Sequence, residues 1–334
     1  MINNSTIWIE WVPNISVGRD PEFIRSVKEK FDSIPDLYIL HTDQGIDVNR
    51  SVLTVVGTRN SLREGMLALL AMLEKNVSMR LHQGAHPRLG ALDVSPFIPL
   101  NRKDQPKVIK WVKELAEEIS STFDFPVFLY EESASAPHRR NLADIRRGEY
   151  EGLETKIQDP HWKPDFGGSF HPGLGATVMG VRDFLIAYNV NLKTKDISVV
   201  RSIASQIRDR KSHTTKYTIP GLKAIGWHLV STNTFQVSTN ITATELATPL
   251  MVYEQCQLLA KKYDTEVTDS ELIGLIPYHN VEAMLKDRFS NTKELTEYLG
   301  LAYSNIDDIR DRTIEYQLYM ISDKKLFRDK FASV

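Results

Sequence analysis

The order of β-type and helical segments in residues 183–277 is the feature that most restricts the fold of this chain. The segments read strand, helix, strand, strand, helix, strand: DFLIAYNVNL (183–192), DISVVRSIASQIRDR (196–210), GLKAIGWHLV (221–230), FQVSTNIT (235–242), TPLMVYEQCQLLAKKY (248–263) and ELIGLIP (271–277). This βαββαβ order is that of the ferredoxin-like split unit. The polar run Ser231-Thr232-Asn233-Thr234 has the length of a hairpin connection between the two inner strands.

The first half also alternates between strands and helices. Stretches rich in β-formers occur at TIWIEWV (6–12), DLYILHT (36–42), SVLTVVGT (51–58) and PVFLYEE (126–132). Asp20 and Pro21 predict the start of a helix whose apolar stripe contains Phe23, Ile24, Val27 and Phe31. Further helices are predicted over 62–73, 105–122 and LADIRRGEYEGL (142–153), and a charged helical tail is predicted after Ile276. We therefore expect two α/β subdomains, 1–180 and 181–334.

Composition excludes several classes of protein. A chain of 334 residues exceeds the comfortable size of one core, which agrees with two subdomains. Its 41 basic and 43 acidic residues are dispersed and give a net charge of -2, so we expect no nucleic-acid partner. No stretch approaches about 18 uninterrupted apolar residues, and the start lacks the pattern of a signal peptide. With Cys256 as its one cysteine, the chain is expected to be cytoplasmic, off the membrane, and to act on small molecules.

The stretch HQGAHPRLGALDVSPFIPL (82–100) places a histidine before a proline among glycines. His82 and His86 are four residues apart, which on a helix would form a zinc-binding pair. Gly84 and Pro87 argue against a helix here, because proline disfavours the α region for the residue before it. From the pattern alone, His86 is either a functional imidazole or a loop histidine that contacts its neighbours.

Three other segments carry candidate chemistry. DFGGSFHPGLGATVMG (165–180) is rich in glycine but lacks the spacing of a dinucleotide site, so it is either a connecting loop or a binding loop. Asp43, Asn49 and Arg50 lie between two predicted strands and form either a turn or a pair of groups for an imidazole and an anion. The basic residues of 138–147 form either a solvated helical face or a site for substrate carboxylates.

Taken together, several segments resemble glutamate formiminotransferase. They follow the order of that family along essentially the whole chain: WVPNISVGRD (11–20), DVNRSVLTVVG (47–57), HQGAHPRLGALDVSPFIPL (82–100), RNLADIRRGEYEGL (140–153), HWKPDFGGSFHPGLGATVMGVRDFLIAYNVNL (161–192), GLKAIGWHL (221–229), FQVSTNIT (235–242), SELIGLIP (270–277) and RTIEY (312–316). The resemblance implies an α/β (α+β) fold of two ferredoxin-like subdomains, with mixed β-sheets facing across a central groove, helices outside, and a homodimer. It also implies the form of the enzyme without a cyclodeaminase domain.

The resemblance further implies a reaction of histidine degradation. The formimino group passes from N-formimino-L-glutamate to tetrahydrofolate, the co-substrate, and no metal is expected. His86, in the motif His86-Pro87-Arg88, corresponds to the general base of the family, since an imidazole can accept and then return a proton near neutral pH. Asp43 is expected to orient that imidazole, and Arg88 or Arg50 to hold a carboxylate. The folate-binding loop corresponds to Gly167, Gly168, Ser169, Phe170, His171, Pro172, Gly173, Leu174 and Gly175.

The chain departs from the family pattern at two positions, and other functions therefore stay open. Animal members of the family usually have glutamate where this chain has Ala85, and cysteine where it has Ser95. Formyl transfer between glutamate and folate would use the same base. A folate-binding protein without turnover and a metal enzyme that uses His82 and His86 are the other hypotheses.

Overall fold

A computed structural model of the protein describes residues 6–210, 214–230, 232–286, 288–301 and 306–321. The chain divides into two compact units, and the boundary falls between Arg182 and Asp183. In the described residues, no helix is both long enough and apolar enough to cross a membrane.

The first unit begins with the strand-helix order that the sequence predicts. Its elements are β1 (Trp8–Trp11), β2 (Asn14–Ile15), α1 (Pro21–Asp32), β3 (Leu37–Gly45), β4 (Arg50–Thr58), α2 (Arg59–Asn76), β5 (Leu92–Pro99), α3 (Gln105–Phe123), β6 (Val127–Leu129), α4 (Leu142–Arg146), α5 (Glu149–Lys156) and β7 (Thr177–Val181). Asp20 caps α1 by accepting a hydrogen bond from the Phe23 amide, and Phe23, Ile24, Val27 and Phe31 are buried, as predicted.

The sheet of the first unit combines antiparallel and parallel pairing. β1 lies between β4 and β5, and β3 pairs with β4, all antiparallel. Because β1, α1, β3, β4, α2 and β5 follow one another in the chain, this part is also a βαββαβ unit. β7 and β6 extend the sheet from β5 in parallel. The main core lies against α1, α2 and α3, whereas Ile145 and Leu153 of α4 and α5 belong to a smaller, separate core.

The second unit has the predicted βαββαβ order. It contains β8 (Ile186–Leu192), α6 (Ile197–Ile207), β9 (Leu222–Leu229), β10 (Thr234–Ile241), α7 (Pro249–Lys262) and β11 (Val267–Ile273), followed by α8 (Tyr278–Leu285), α9 (Thr292–Tyr298) and α10 (Ile314–Ile321). The strands pair in the antiparallel order β11-β8-β10-β9. The predicted α/β fold with ferredoxin-like subdomains is therefore confirmed for each unit.

Some boundaries differ from those that the sequence predicts. The helix predicted over 142–153 is two helices, because Gly148 adopts a φ of 91° between them. The last predicted strand begins four residues earlier, at Val267, and ends before Gly274, whose φ is 75°. The tail after Ile276 is helical in its described part, whereas residues 322–334 and Ser231 of the predicted hairpin lie outside the described residues.

The second sheet carries a buried polar network on the face opposite its helices. Asn189, Asn191 and Gln236, here called the amide network, alternate along their strands with core residues and are at most 6% exposed. The Gln236 side-chain amide donates to Asn191 Oδ1 over 2.9 Å and accepts from the Trp227 indole over 2.8 Å. Asn189 donates to the partly exposed carboxylate of Glu271. Each amide thus has an internal partner.

Candidate active site

Asn49 connects the turn between β3 and β4 to the segment that carries His86. Its φ of 47° is left-handed, a conformation that asparagine tolerates. The Asn49 side chain accepts a hydrogen bond from the Gly18 amide and donates one to the Gln83 carbonyl, both over 2.9 Å. Gly84 permits this approach, because a Cβ there would lie 2.3 Å from the Val48 carbonyl oxygen. The turn that the sequence suggests at Asn49 therefore also fixes the start of the histidine segment.

The histidine segment and the glycine loop lie side by side. The Ala91 amide donates to the Leu174 carbonyl over 2.8 Å, and the Ala176 amide donates to the Leu89 carbonyl over 3.2 Å. Gly175 has a φ of 71°, and a Cβ on it would lie 2.2 Å from the Leu89 carbonyl oxygen. The structure therefore brings together residues that are more than 80 positions apart in the sequence.

The glycine loop has an exposed first part and a fixed second part. Gly167, Gly168 and Ser169 are exposed, and Gly168 has open space where a Cβ would lie. In the second part, Tyr150 donates to the Pro172 carbonyl over 2.7 Å and its ring packs on that of Phe170.

Hydrogen bonds complete the fixed part of the loop. His171 Nδ1 accepts from the Leu174 amide over 2.9 Å, and the Gly173 carbonyl accepts from the Met79 amide over 2.9 Å. Leu174 and Gly175 are buried. Residues 170–175 therefore shape the loop, and residues 167–169 present backbone that a ligand can reach.

One ring nitrogen of His86 has a defined role. Nδ1 lies 2.7 Å from the carbonyl oxygen of Pro87. A carbonyl oxygen only accepts hydrogen bonds, so we assign the proton of the neutral imidazole to Nδ1. Nε2 then carries the lone pair that a general base needs.

Burial and the charges around His86 keep the imidazole neutral. Burial, then the positive charges of Arg50 and Arg146, lower the pKa of His86 to about 3, against the opposing effect of Asp93. Because this value lies far below 7, the ring is unprotonated at neutral pH and can accept a proton.

Arg50, Asp93 and Arg146 form what we call the charge network. Asp93 Oδ2 lies 2.5 Å from Arg50 Nη1 and 2.6 Å from Arg146 Nη2. The side chain of Asp93 is 0% exposed, that of Arg50 is 7% exposed and that of Arg146 is 13% exposed. Asn14 Oδ1 accepts from Arg50 Nη2 over 3.0 Å, and the Leu89 amide donates to Asp93 Oδ1 over 2.9 Å. The network contains one more positive than negative charge.

The pKa values of Asp93 and Arg50 are both lowered within the charge network. Burial alone would raise the pKa of Asp93, but Arg146 and Arg50 outweigh burial and hold this pKa at about 2. Burial lowers the pKa of Arg50 to about 10, although Asp93 opposes the change. Asp93 and Arg50 are therefore ionised at neutral pH, and the surplus positive charge of the network favours an anion close to His86.

Asp43 and Arg88 make contacts that the sequence does not reveal. Asp43 Oδ1 lies 3.0 Å from Nε2 of His41, its neighbour but one in β3. Arg88 binds both oxygens of the Glu151 carboxylate, over 2.6 and 2.9 Å, and also contacts Glu149. To hold a substrate carboxylate, Arg88 would have to exchange these partners. The predicted roles of Asp43 and Arg88 stay predictions.

The two ring nitrogens of His82 contact protein groups. Nε2 lies 3.1 Å from the Asn49 carbonyl oxygen, and Nδ1 accepts from Arg88 Nε over 3.3 Å. Across the part of the chain that the structure describes, no group of three or more histidine, cysteine, aspartate or glutamate side chains could hold a metal ion. His82 thus helps to place Arg88 and the turn at Asn49.

The basic residues of 138–147 separate into different surroundings. Arg139 pairs with the buried Asp165 over 2.8 Å, Arg140 pairs with Glu132, and Arg147 pairs with Asp144. Arg146 instead pairs with Asp93 and belongs to the charge network. The three other arginines form structural or surface pairs, and the hypothesis of a substrate-carboxylate site stays a prediction for Arg146.

Sequence reasoning missed Asp93 and Asn14 as members of the site. Asp93 is a lone charge within the apolar run LGALDVSPFIPL, and a charge that a buried strand retains needs partners. The sequence therefore contained a signal that Asp93 has charged partners. Asn14 follows Pro13 at the start of the two-residue strand β2, and the sequence carries no comparable signal for it.

The two departures from the family pattern have different surroundings. The Ser95 hydroxyl accepts a hydrogen bond from the Trp11 indole over 2.7 Å, and both side chains are buried. Ala85 is exposed, next to His86. Ser95 is therefore a packing position, whereas Ala85 lies on the surface around the site.

Comparison with known proteins identifies the family. Residues 8–182 match the description "Formiminotransferase domain, N-terminal subdomain", and residues 187–298 match "Formiminotransferase domain". The chain is 37% identical over 270 residues to a glutamate formimidoyltransferase of Streptococcus pyogenes serotype M1, which covers 80% of this chain and 89% of the relative.

Two longer relatives bear the name formimidoyltransferase-cyclodeaminase. The one from Dictyostelium discoideum is 35% identical over 324 residues, which is 93% of this chain and 60% of the relative. The one from Rattus norvegicus is 37% identical over 271 residues, which is 80% of this chain and 50% of the relative. The chain therefore spans about half to three fifths of these two proteins. From these matches along both of its units, the chain belongs to the formiminotransferase family.

Proposed function

We propose that this protein transfers the formimino group of N-formimino-L-glutamate to tetrahydrofolate. The products are L-glutamate and 5-formimino-tetrahydrofolate, in a step of histidine degradation. The observation that carries the proposal is the assignment of the His86 proton to Nδ1 beside a positively charged network, which leaves Nε2 as a base. The name of the relative from Streptococcus pyogenes, glutamate formimidoyltransferase, supports the choice of donor.

The chemistry requires one proton to move twice. The N5 nitrogen of tetrahydrofolate attacks the formimino carbon, and His86 Nε2 takes the proton that this nitrogen loses. In the resulting tetrahedral centre, the bond from carbon to the glutamate nitrogen then breaks as the imidazolium returns the proton to that nitrogen. No net proton is gained or lost by the protein. A proton transfer of this kind contributes about 10²- to 10⁴-fold to the rate.

The surplus charge of the network supports a carboxylate site. Arg50 and Arg146 share one carboxylate, Asp93, so a substrate carboxylate near His86 would balance the remaining positive charge. We therefore keep Arg50 as a substrate-binding residue and add Arg146. Residues Gly167 to Gly175 are proposed as the folate loop, because residues 167–169 present exposed backbone and the fixed second part of the loop contacts the His86 segment through Leu174.

The remaining assignments are also proposals. The division into subdomains 1–180 and 181–334 lies two residues from the observed boundary of the compact units. A cytoplasmic homodimer is proposed from the family resemblance, and a buried Cys256, as the one cysteine of the chain, agrees with a reducing compartment.

A product assay separates the proposed reaction from its alternatives. Purified protein receives tetrahydrofolate with formiminoglutamate or, in a parallel sample, formylglutamate. We expect turnover of the formimino donor, a loss of about 10²-fold or more in His86→Ala, and retained folate binding in that variant. The matched control is His279→Ala, which alters a histidine of the second unit that is paired with exposed Glu245.

Other results of the assay would overturn the assignment. Turnover of formylglutamate alone would assign formyl transfer. Folate binding without conversion of either donor would show a binding protein. An equal loss of turnover in His86→Ala and His279→Ala would show that His86 has no special role.

A further inference from the structure

Lys156, at the end of α5, makes an unusual set of contacts with the end of α4. Its ammonium nitrogen lies 3.1 Å from the Asp144 carbonyl oxygen, 2.5 Å from that of Ile145 and 3.0 Å from that of Arg147. These carbonyls bracket Arg146, which belongs to the charge network. Lys156 is therefore linked to the active site through the backbone around one arginine.

The three carbonyls match the donors of an ammonium group. A protonated lysine has three N–H donors and no acceptor, so each proton can meet one oxygen. The last carbonyls of a helix have no partner within the helix, and α4 has only five residues in which to form such bonds. The contact thus gives these carbonyls an ammonium donor, and that of Asp144 also accepts from the Arg147 amide over 3.4 Å.

A second contact holds the ammonium group from another direction. The Lys156 nitrogen lies 4.1 Å from the centre of the Trp162 ring, within the range of a cation–π interaction. Burial, reinforced by Arg147 and opposed by Asp144, lowers the pKa of Lys156 to about 8. The amine is therefore still mainly protonated at pH 7, as the contacts require.

We propose that Lys156 is a positioning residue of the active site, because its ammonium group fixes the backbone from which Arg146 reaches Asp93. The proposal rests on the proposed function for its relevance to catalysis. Loss of the ammonium group frees the carbonyls of α4, so Arg146 no longer stays in contact with Asp93. The positive charge close to His86 then decreases, and the imidazole becomes easier to protonate.

The test measures protonation of His86 without any substrate. Histidine ring signals are followed by NMR against pH in the wild type, Lys156→Met, Arg146→Met and the double variant, and His86→Gln assigns the signal. The groups that face His86 are Arg50 of β4, Arg146 of α4, Asp93 of β5 and the Pro87 carbonyl. Lys193→Met is the matched control, because Lys193 pairs with Glu266 on an exposed surface of the second unit.

We expect the pKa of His86 to shift by the same amount in the two single variants. The pKa of His86 should rise by about one pH unit in Lys156→Met and in Arg146→Met, as expected when a nearby positive charge is removed. The double variant should rise no further, because both changes remove the same interaction. Lys193→Met should leave the titration unchanged. A folded Lys156→Met protein with the wild-type titration of His86 would overturn the proposal.

A milder variant provides the test if Lys156→Met does not fold. Trp162→Leu keeps the ammonium group but removes its aromatic contact, so we expect a smaller shift in the same direction. No shift in Trp162→Leu would overturn the proposal if Lys156→Met does not fold. Because the titration needs no turnover, a wild type that converts neither donor would refute the proposed function while the His86 shift still tests the role of Lys156.

Discussion

The two sheets share a βαββαβ order, but they bury polar groups of different kinds. The first unit buries the charge network of Arg50, Asp93 and Arg146, with a surplus positive charge. The second buries the amide network, in which each amide has an internal partner and the carboxylates at its edge are partly exposed. A satisfied amide network orders a structure, whereas an unbalanced charge network favours an anionic ligand. The shared βαββαβ order therefore leaves open which unit does chemistry, and the buried charges of the first unit indicate it.

Removal of the shared carboxylate should give the larger loss of stability. In Asp93→Asn, two buried guanidinium groups remain without their counter-charge, and we expect a loss of about 3 to 5 kcal/mol in the free energy of unfolding. Urea unfolding followed by circular dichroism measures this loss. Asp311→Asn breaks an exposed pair with Arg310 and should cost less than about 1 kcal/mol. Equal effects in the two variants would refute the energetic role of the charge network.

Disruption of the amide network should cost less. Gln236→Met keeps the length of the side chain but removes the hydrogen bonds that Gln236 makes with the Trp227 indole and with Asn191 Oδ1. We expect a loss of on the order of 1 to 2 kcal/mol, because neutral groups have a smaller desolvation cost than charges. The same urea experiment measures it. A loss larger than that of Asp93→Asn would reverse the contrast between the two networks.

Much of the fold could be predicted from the sequence because local patterns determine it. The stripe of α1 and the strand order of the second unit follow from apolar spacing and from turn residues. The break between α4 and α5 was not predicted, because RGEY reads as a continuous helix until the left-handed conformation of Gly148 is known. The break matters, since it places Arg146 at the end of α4, where Lys156 contacts the adjoining carbonyls.

The site could be predicted only in part, because its partners are distant in the chain. The resemblance assigned His86 and the glycine loop, and the structure places their segments in contact. Pairing of Arg50 with Asp93 spans 43 residues, and pairing of Asp93 with Arg146 spans 53, so no local pattern reports them. The contacts of Asp43 with His41 and of Arg88 with Glu151 likewise depend on side-chain directions that spacing does not give.

The most direct test of the account is the dependence of kcat/KM for formimino transfer on pH. The central claim is that burial, reinforced by Arg50 and Arg146 of the charge network, keeps His86 unprotonated at neutral pH. Because the pKa of His86 is lowered well below 6.5, the rate should stay level as the pH falls from 8 through 6.5, and the acid limb should appear only at lower pH. An acid limb at or above pH 6.5 that disappears in the residual activity of His86→Ala would show an ordinary histidine and contradict the claim.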